Sequence, residues 1–199
     1  QLKALLPQLL HETNLDSLRG LEGAGATSYF SAFDQLILGD RSVFRFETRS
    51  RRPPLDPVNA LLSFAYSLLS HDCTWALESV GLDSYVGFLH RDRPGRVSLA
   101  LDLMEEFRPC MADRFVLTCI NNRVFQKCDF IYRENGGVLL SEGGRRTFLQ
   151  RWQERKKDSL THPFLGEKVP WGLVPYLQAL LLARYLRGDL EAYPPFLWK

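Results

Sequence analysis

The sequence predicts a mainly α fold, a helical domain carrying one small β-hairpin. Three observations lead there. Apolar residues recur at helical spacing in several long segments. Gly and Pro gather between those segments. A hairpin signal is clear in one place only, "DFIYRENGGVLLS".

Taken in order, residues 1–13 carry a helical apolar pattern in Leu2, Leu5, Leu6, Leu9 and Leu10. A second helical region covers Leu15 to about Gly39. At its heart lies "GLEGAGATSYFSAFDQLIL", whose Gly20, Gly23, Ala24, Gly25 and Ala26 are poor independent helix formers. Small residues there point to close approach by another helix or by a ligand. Residues 39–56 read as an exposed connector, from their Gly, Pro pair and charge. Pro57 opens a helix with Asp56 as N-cap and a buried stripe of Leu61, Leu62, Phe64, Ala65, Leu68 and Leu69. A helix resumes near Trp75 and stops at Gly81. "RDRPG" is a turn, and Ser98 caps a helix running from Leu99 to Asn121 or Asn122. Residues 129–141 form the hairpin, with Asn135-Gly136-Gly137 as a type I′ style turn. A charged helix follows from Gly144 to about Asp158, then an apolar one from Val169 to about Leu186. Residues 190–199 are a proline-marked tail. No internal repeat or low-complexity segment occurs, and 1–199 reads as a single helical domain.

Composition narrows the function classes. With 199 residues, 45% of them hydrophobic, and 13 Phe, 7 Tyr and 4 Trp, the chain can bury a sizeable core, which argues against disorder. No apolar run reaches the roughly 18 residues that span a bilayer, so no membrane role is expected. The chain begins Gln1-Leu2-Lys3, as a processed product or a piece of something longer would. Cys73, Cys110, Cys119 and Cys128 form no CxxC pair and read as small buried hydrophobes in a reducing cytoplasm. Net charge is only +2, but 19 of the 25 basic residues are Arg, whose planar fork suits phosphate. They cluster at Arg45, Arg49, Arg51 and Arg52; at Arg91, Arg93 and Arg96; and at Arg145, Arg146, Arg151 and Arg155 with Lys156 and Lys157. Each cluster is either a solvated face or part of a nucleic-acid surface.

The stretch "FLHRDRPGRVSLALDLMEEFRP" places a histidine, a basic turn and an acidic helix in succession. At 100° per residue from Leu99, the apolar residues Leu103, Phe107, Cys110, Met111 and Met104 fall within an arc of about 140°. Asp102 and Glu105 lie together on the opposite side, about 60° apart, with Glu106 towards the edge of the apolar arc. Two carboxylates so close need a proton, an arginine or a cation between them. His90 precedes Asp102 by twelve residues, and the turn folds it back over the helix start. One imidazole with carboxylates is a ligand set for Mn²⁺ or Mg²⁺. The competing reading is a hydrogen-bonded interfacial histidine beside an ordinary acidic helix face. Glu22, in "LEGAGA", is a third carboxylate, with neighbours small enough to let a bulky anion approach.

Together, "LRGLEGAGATSYFSAF", "RSRRPPLDPVNALLSFAYSLL", "VGLDSYVGFLH" and "SLALDLMEEFRP" closely resemble the integrase of the CRISPR adaptation machinery, CRISPR-associated protein one. The blocks extend over roughly residues 15–160, and "HRDRPGR" looks most like the subtype I-C branch. The resemblance implies a metal-dependent DNA endonuclease and integrase. With a small dimeric partner, CRISPR-associated protein two, such an enzyme inserts short DNA fragments into a CRISPR array. It implies that Glu22, His90 and Glu105 bind Mg²⁺ or Mn²⁺, and that Glu22, His90, Asp102 and Glu105 are catalytic. Relatives often carry Asp where Glu105 stands. The DNA backbone would be met by Arg49, Arg51, Arg52, Arg91, Arg93, Arg96, Arg145 and Arg146. The family's N-terminal β-rich domain, which contributes to homodimer formation, is missing ahead of this helical catalytic part. A prokaryotic cytoplasmic location follows from the same resemblance. Two other classes stay open on the residues alone. One is a catalytically silent helical module that binds nucleic acid; the other is a protein-interaction scaffold.

Overall fold

A computed structural model describes residues 2–91 and 93–198. Among these residues it contains α1 (Leu2–His11), α2 (Leu15–Ser31), α3 (Pro57–Ser79), α4 (Ser98–Glu105), α5 (Arg114–Asn121), α6 (Glu142–Lys157) and α7 (Val174–Leu186). Two antiparallel pairs accompany them, β1 (Phe130–Tyr132) with β2 (Val138–Leu140) and β3 (Ser159–Thr161) with β4 (Lys168–Pro170). The mainly α expectation therefore holds, with a second strand pair that the sequence did not announce. No helix among the described residues is long and apolar enough to cross a membrane. The chain divides into two compact units, residues 1–61 with 117–140, and residues 62–116 with 141–199.

In the first unit, Asn14 starts α2 by accepting from the backbone N–H groups of Asp16 and Ser17. α1 lies against α2 at Gly25, where a Cβ would meet Leu2 and Leu5 at an ordinary 3.8 Å, so the packing does not require glycine there, and Gly20 and Gly23 face open space. The segment 39–56 is less exposed than expected. Its polar residues are mostly outside, but Phe44 and Phe46 are buried, Phe46 against Phe30 and Phe33, and Phe44 against Phe130. Each buried ring of this size contributes about 1.5–3 kcal/mol. Asp56 does cap α3, accepting the Asn59 N–H at 2.8 Å. The β1–β2 hairpin forms with Tyr132 opposite Val138. Its turn is not type I′, because only Gly136 has positive φ (78°), and Arg133 N–H bonds Gly137 O at 2.8 Å. That is a three-residue loop with a left-handed glycine.

In the second unit, Leu69, Leu77, Phe107, Phe148 and Trp152 are buried, and Phe148 meets Phe64, Phe115 and Trp152 ring to ring. α3 runs without the expected break to Ser79, and Gly81 (φ 81°) follows its end. The turn expected at "RDRPG" forms from Arg93 to Arg96; Asp92 lies outside the described residues. Ser98 is not a cap: its hydroxyl donates to Arg91 O, and the N–H groups of Leu99 and Ala100 are taken by Ser84 O. The helix expected through to Asn121 is interrupted. Pro109 lacks an N–H and its ring crowds the carbonyl four residues back, so α4 stops at Glu105 and residues Arg108–Asp113 are π-helical. Val169 lies in β4, and α7 begins only at Val174. Of the cysteines, Cys73 and Cys119 are buried as expected, while Cys128 is exposed.

Candidate active site around His90

The loop before α4 is drawn onto the helix by one carboxylate. Asp102 Oδ2 accepts the N–H groups of Phe88 (2.6 Å) and Leu89 (3.0 Å), and Oδ1 accepts the N–H of His90 (3.0 Å). Gly87 permits this approach, since a Cβ there would sit 2.7 Å from Ser98 Cβ and 2.9 Å from Asp102 Oδ2. The His90 ring closes the arrangement with Nδ1 2.6 Å from Asp102 Oδ1. Three backbone donors and one ring nitrogen use the carboxylate's four lone-pair directions. A carboxylate only accepts, so Nδ1–H is the donor in this contact and Nε2 is the ring nitrogen turned to Glu105.

His90 Nε2 lies 3.9 Å from Glu105 Oε1. The side chains of Asp102 and His90 are 12% and 15% exposed and that of Glu105 is 29% exposed, although Glu105 Oε1, the oxygen that faces Nε2, is itself buried. Arg108, three residues on, places NH1 2.8 Å from Glu105 Oε1 and 2.9 Å from Oε2. The guanidinium rests over the Tyr66 ring at 5.2 Å, and Tyr66 donates to the buried Asp113 at 2.5 Å. Arg108 is therefore a fixed positive charge that offsets Glu105. No spacing in the sequence singled out Arg108, Tyr66 or Asp113. Their association follows from the π-helical turn that brings 108 and 113 to one side.

Of the four expected site residues, three meet in the second unit: His90, Asp102 and Glu105. Glu22 is exposed on α2 in the first unit, beside the open space at Gly23. Among the described residues no group of three or more His, Cys, Asp or Glu side chains is gathered so as to hold a metal ion. Asp102 is the reason within the His90 cluster, since its oxygens are committed to the loop and to Nδ1. The donor types that remain, an imidazole nitrogen and a carboxylate, still fit a divalent cation. A carboxylate on the far ring nitrogen is the usual support of a metal-binding histidine.

The arginines differ among themselves. Arg49 is half-buried and donates to Asn59 Oδ1 at 2.7 Å, bracing the segment before α3. Arg51, Arg52, Arg91, Arg93, Arg145 and Arg146 are exposed, and Arg96 is half-buried. Arg146 lies 3.2 Å from Glu142 on an open helix face. A cleft of about 750 Å³ in the second unit, bordered by Arg114, Arg155, Thr161, Trp171 and Trp198, contains none of the candidate site residues.

Comparison with known proteins gives this geometry a context. Residues 1–154 match the family described as "CRISPR associated protein Cas1". The chain is 62% identical over 184 residues to the "CRISPR-associated endonuclease Cas1 2" of Rhodospirillum rubrum, which covers 92% of the chain and 54% of that protein. It thus spans about half the length of that relative. Among solved structures, a "Casposase bound to integration product" superposes with TM-score 0.84 at 30% identity, over 95% of this chain and 52% of the other. A chain of a "Partial Cas6-RT-Cas1--Cas2 complex" superposes with TM-score 0.81 at 27% identity, over 99% of this chain and 57% of the other.

Proposed function

The chain belongs to the CRISPR-associated Cas1 family, and on that premise we propose that it carries the catalytic chemistry of a metal-dependent DNA endonuclease and integrase. The observation that carries the reading is the Asp102–His90 pair, which leaves Nε2 facing Glu105. His90 and Glu105 would hold Mg²⁺ or Mn²⁺, and Glu22 of α2 would be the further ligand. When bound, the cation lowers the pKa of an attacking hydroxyl and offsets charge on the oxygens of the reacting phosphate. In integration a DNA 3′-hydroxyl attacks a phosphodiester; one P–O bond forms and another breaks, and the leaving 3′-oxygen takes a proton.

The protein's own residues do the rest. Asp102 keeps a proton on Nδ1 and fixes the ring plane, which leaves Nε2 as the ring nitrogen that would bind the cation. Arg108 limits the repulsion between Glu105 and incoming DNA. The exposed Arg51, Arg52, Arg91, Arg93, Arg145 and Arg146, with the half-buried Arg96, meet backbone phosphates and read no sequence. A small dimeric Cas2 protein is the expected partner, because a relative of this fold stands in a complex with one. Joining two DNA ends to two strands needs two sites at a fixed separation, so this chain alone is expected to nick DNA or join single ends slowly.

The test is a strand-transfer assay with Mn²⁺, a Cas2 partner, a duplex with free 3′ ends and a repeat-bearing target. His90→Ala and Glu105→Gln should abolish every product. DNA affinity should fall with salt by a log–log slope of about −0.9 per phosphate neutralised. Products that persist in both variants, or a slope near zero, would contradict the reading and favour a scaffold.

A further inference from the structure

Glu106 adjoins Glu105, yet its carboxylate serves a different part of the unit. Oε1 accepts the Tyr193 hydroxyl at 2.6 Å, and Oε2 accepts the Phe196 N–H at 2.7 Å and Gln178 Nε2 at 3.0 Å. Gln178 is fully buried on α7, and the same nitrogen lies 2.8 Å from the Tyr193 oxygen and 3.1 Å from Pro194 O. Burial first, and then the Glu106 charge, push the Tyr193 phenol far up, so it remains a donor. The Phe196 ring is buried edge-on to Phe107, His162 and Trp171. A tail that the sequence marks only by its prolines is stitched to the end of α4 by one acidic side chain.

The place of the stitch matters. At Glu106 and Phe107 the backbone N–H groups reach back only three residues, to Leu103 O (3.4 Å) and Met104 O (3.0 Å). From Arg108 the chain is π-helical. The regular α-helical ladder therefore lapses where Glu105 leaves the helix, and a helix end without its ladder frays unless side chains hold it. Three neutral donors converging on Glu106 supply that hold.

We propose that Glu106, with Tyr193 and Gln178, positions Glu105 against His90, so that segment 193–196 is a structural part of the site. Glu106 touches neither DNA nor cation; it acts through the helix end. The inference rests on the reading of Glu105 and His90 as cation ligands, and the experiment separates the two.

Wild type, Glu106→Gln, Tyr193→Phe, Glu105→Gln and a control, Phe148→Leu, are compared in the full chain. Phe148 lies in the core of the same unit, against Phe64, Phe115 and Trp152, and its substitution supplies a stability loss at a residue outside the Glu106 hydrogen bonds. Mn²⁺ affinity is measured by calorimetry, and the His90 ring nitrogens are followed by NMR in metal-free protein. Glu106→Gln and Tyr193→Phe should each weaken Mn²⁺ binding by about tenfold and shift the His90 nitrogen resonances. Phe148→Leu should do neither at an equal or larger drop in Tm. Should Glu106→Gln fail to fold, Tyr193→Phe, which removes one hydroxyl, decides. Unchanged affinity and unmoved His90 resonances in folded Tyr193→Phe would overturn the inference, as would an equal effect of Phe148→Leu. If wild type takes up no Mn²⁺, the cation reading fails. The metal-free resonances then decide alone: shifted by Tyr193→Phe they support positioning, unmoved they refute it.

Discussion

Asp102 Oδ1 lies 2.6 Å from His90 Nδ1, and the same carboxylate gathers the backbone N–H groups of three consecutive residues, Phe88, Leu89 and His90. One side chain thus sets the path of the loop, the ring plane and the tautomer together. The two carboxylates of α4 divide the work accordingly. Asp102 orients the histidine, and Glu105, paired with Arg108, lies beside the other ring nitrogen.

Asp102→Asn tests that division. The amide keeps one acceptor oxygen but turns an NH₂ group towards donors, leaving at least one N–H unsatisfied at a cost of about 1–3 kcal/mol. Thermal stability should fall, and Mn²⁺ affinity should fall about 10–100-fold because Nδ1 loses its acceptor. Calorimetric titration of the folded variant checks this. Wild-type affinity in Asp102→Asn would mean that the ring is oriented by something else.

His162 makes a pH prediction. Its ring is buried, and Nδ1 accepts the N–H groups of Phe164 and Leu165 at 3.3 Å each. Burial lowers its pKa below the ordinary 6.5. Between that lowered value and 6.5 the unfolded chain binds more protons than the folded one, so stability rises with pH there. Wild type should therefore lose Tm as pH falls below about 6.5. His162→Gln should show a flatter profile over the same window. Parallel melting curves for the two proteins from pH 7.5 to 5.5 make the comparison, and identical slopes would contradict it.

The β1–β2 hairpin should be structural. Gly136 adopts φ 78°, and a Cβ on Gly137 would sit 3.1 Å from Pro53 Cβ. Replacing both with Val should lower stability by about 1–3 kcal/mol, from left-handed strain and overpacking. The Mn²⁺ affinity of the folded fraction should stay at the wild-type level. A selective loss of affinity in fully folded protein would assign the hairpin a role at the site.

Much of this was legible in the chain because it rests on local rules. The stripe from Leu61 to Leu69, the Asp56 cap and the hairpin follow from periodicity and turn chemistry. The facing of Asp102 and Glu105 follows from a three-residue step on a helix. What stayed hidden depends on contacts distant in sequence. Nothing local says that Glu106 reaches Tyr193, 87 residues away. The placement of Phe44 and Phe46 in the core needs the partners Phe130 and Phe33 to be known first. The interruption after Glu105 did carry a signal, Pro109, which the strength of the apolar pattern around it masked. The strands at 159–161 and 168–170 are only three residues each, too short for an alternating pattern to emerge.

The most direct test of the central claim is Mn²⁺ titration of the wild-type chain beside His90→Ala, Glu105→Gln and Glu22→Gln, read by calorimetry and by electron paramagnetic resonance. The account predicts one tight Mn²⁺ per wild-type chain and a loss of at least about tenfold in affinity in each variant, with folds intact by circular dichroism. Glu22→Gln is the critical member, because Glu22 is carried by α2 and the other two ligands are not. Undiminished Mn²⁺ binding in Glu22→Gln, or no binding by wild type, would contradict a shared metal site.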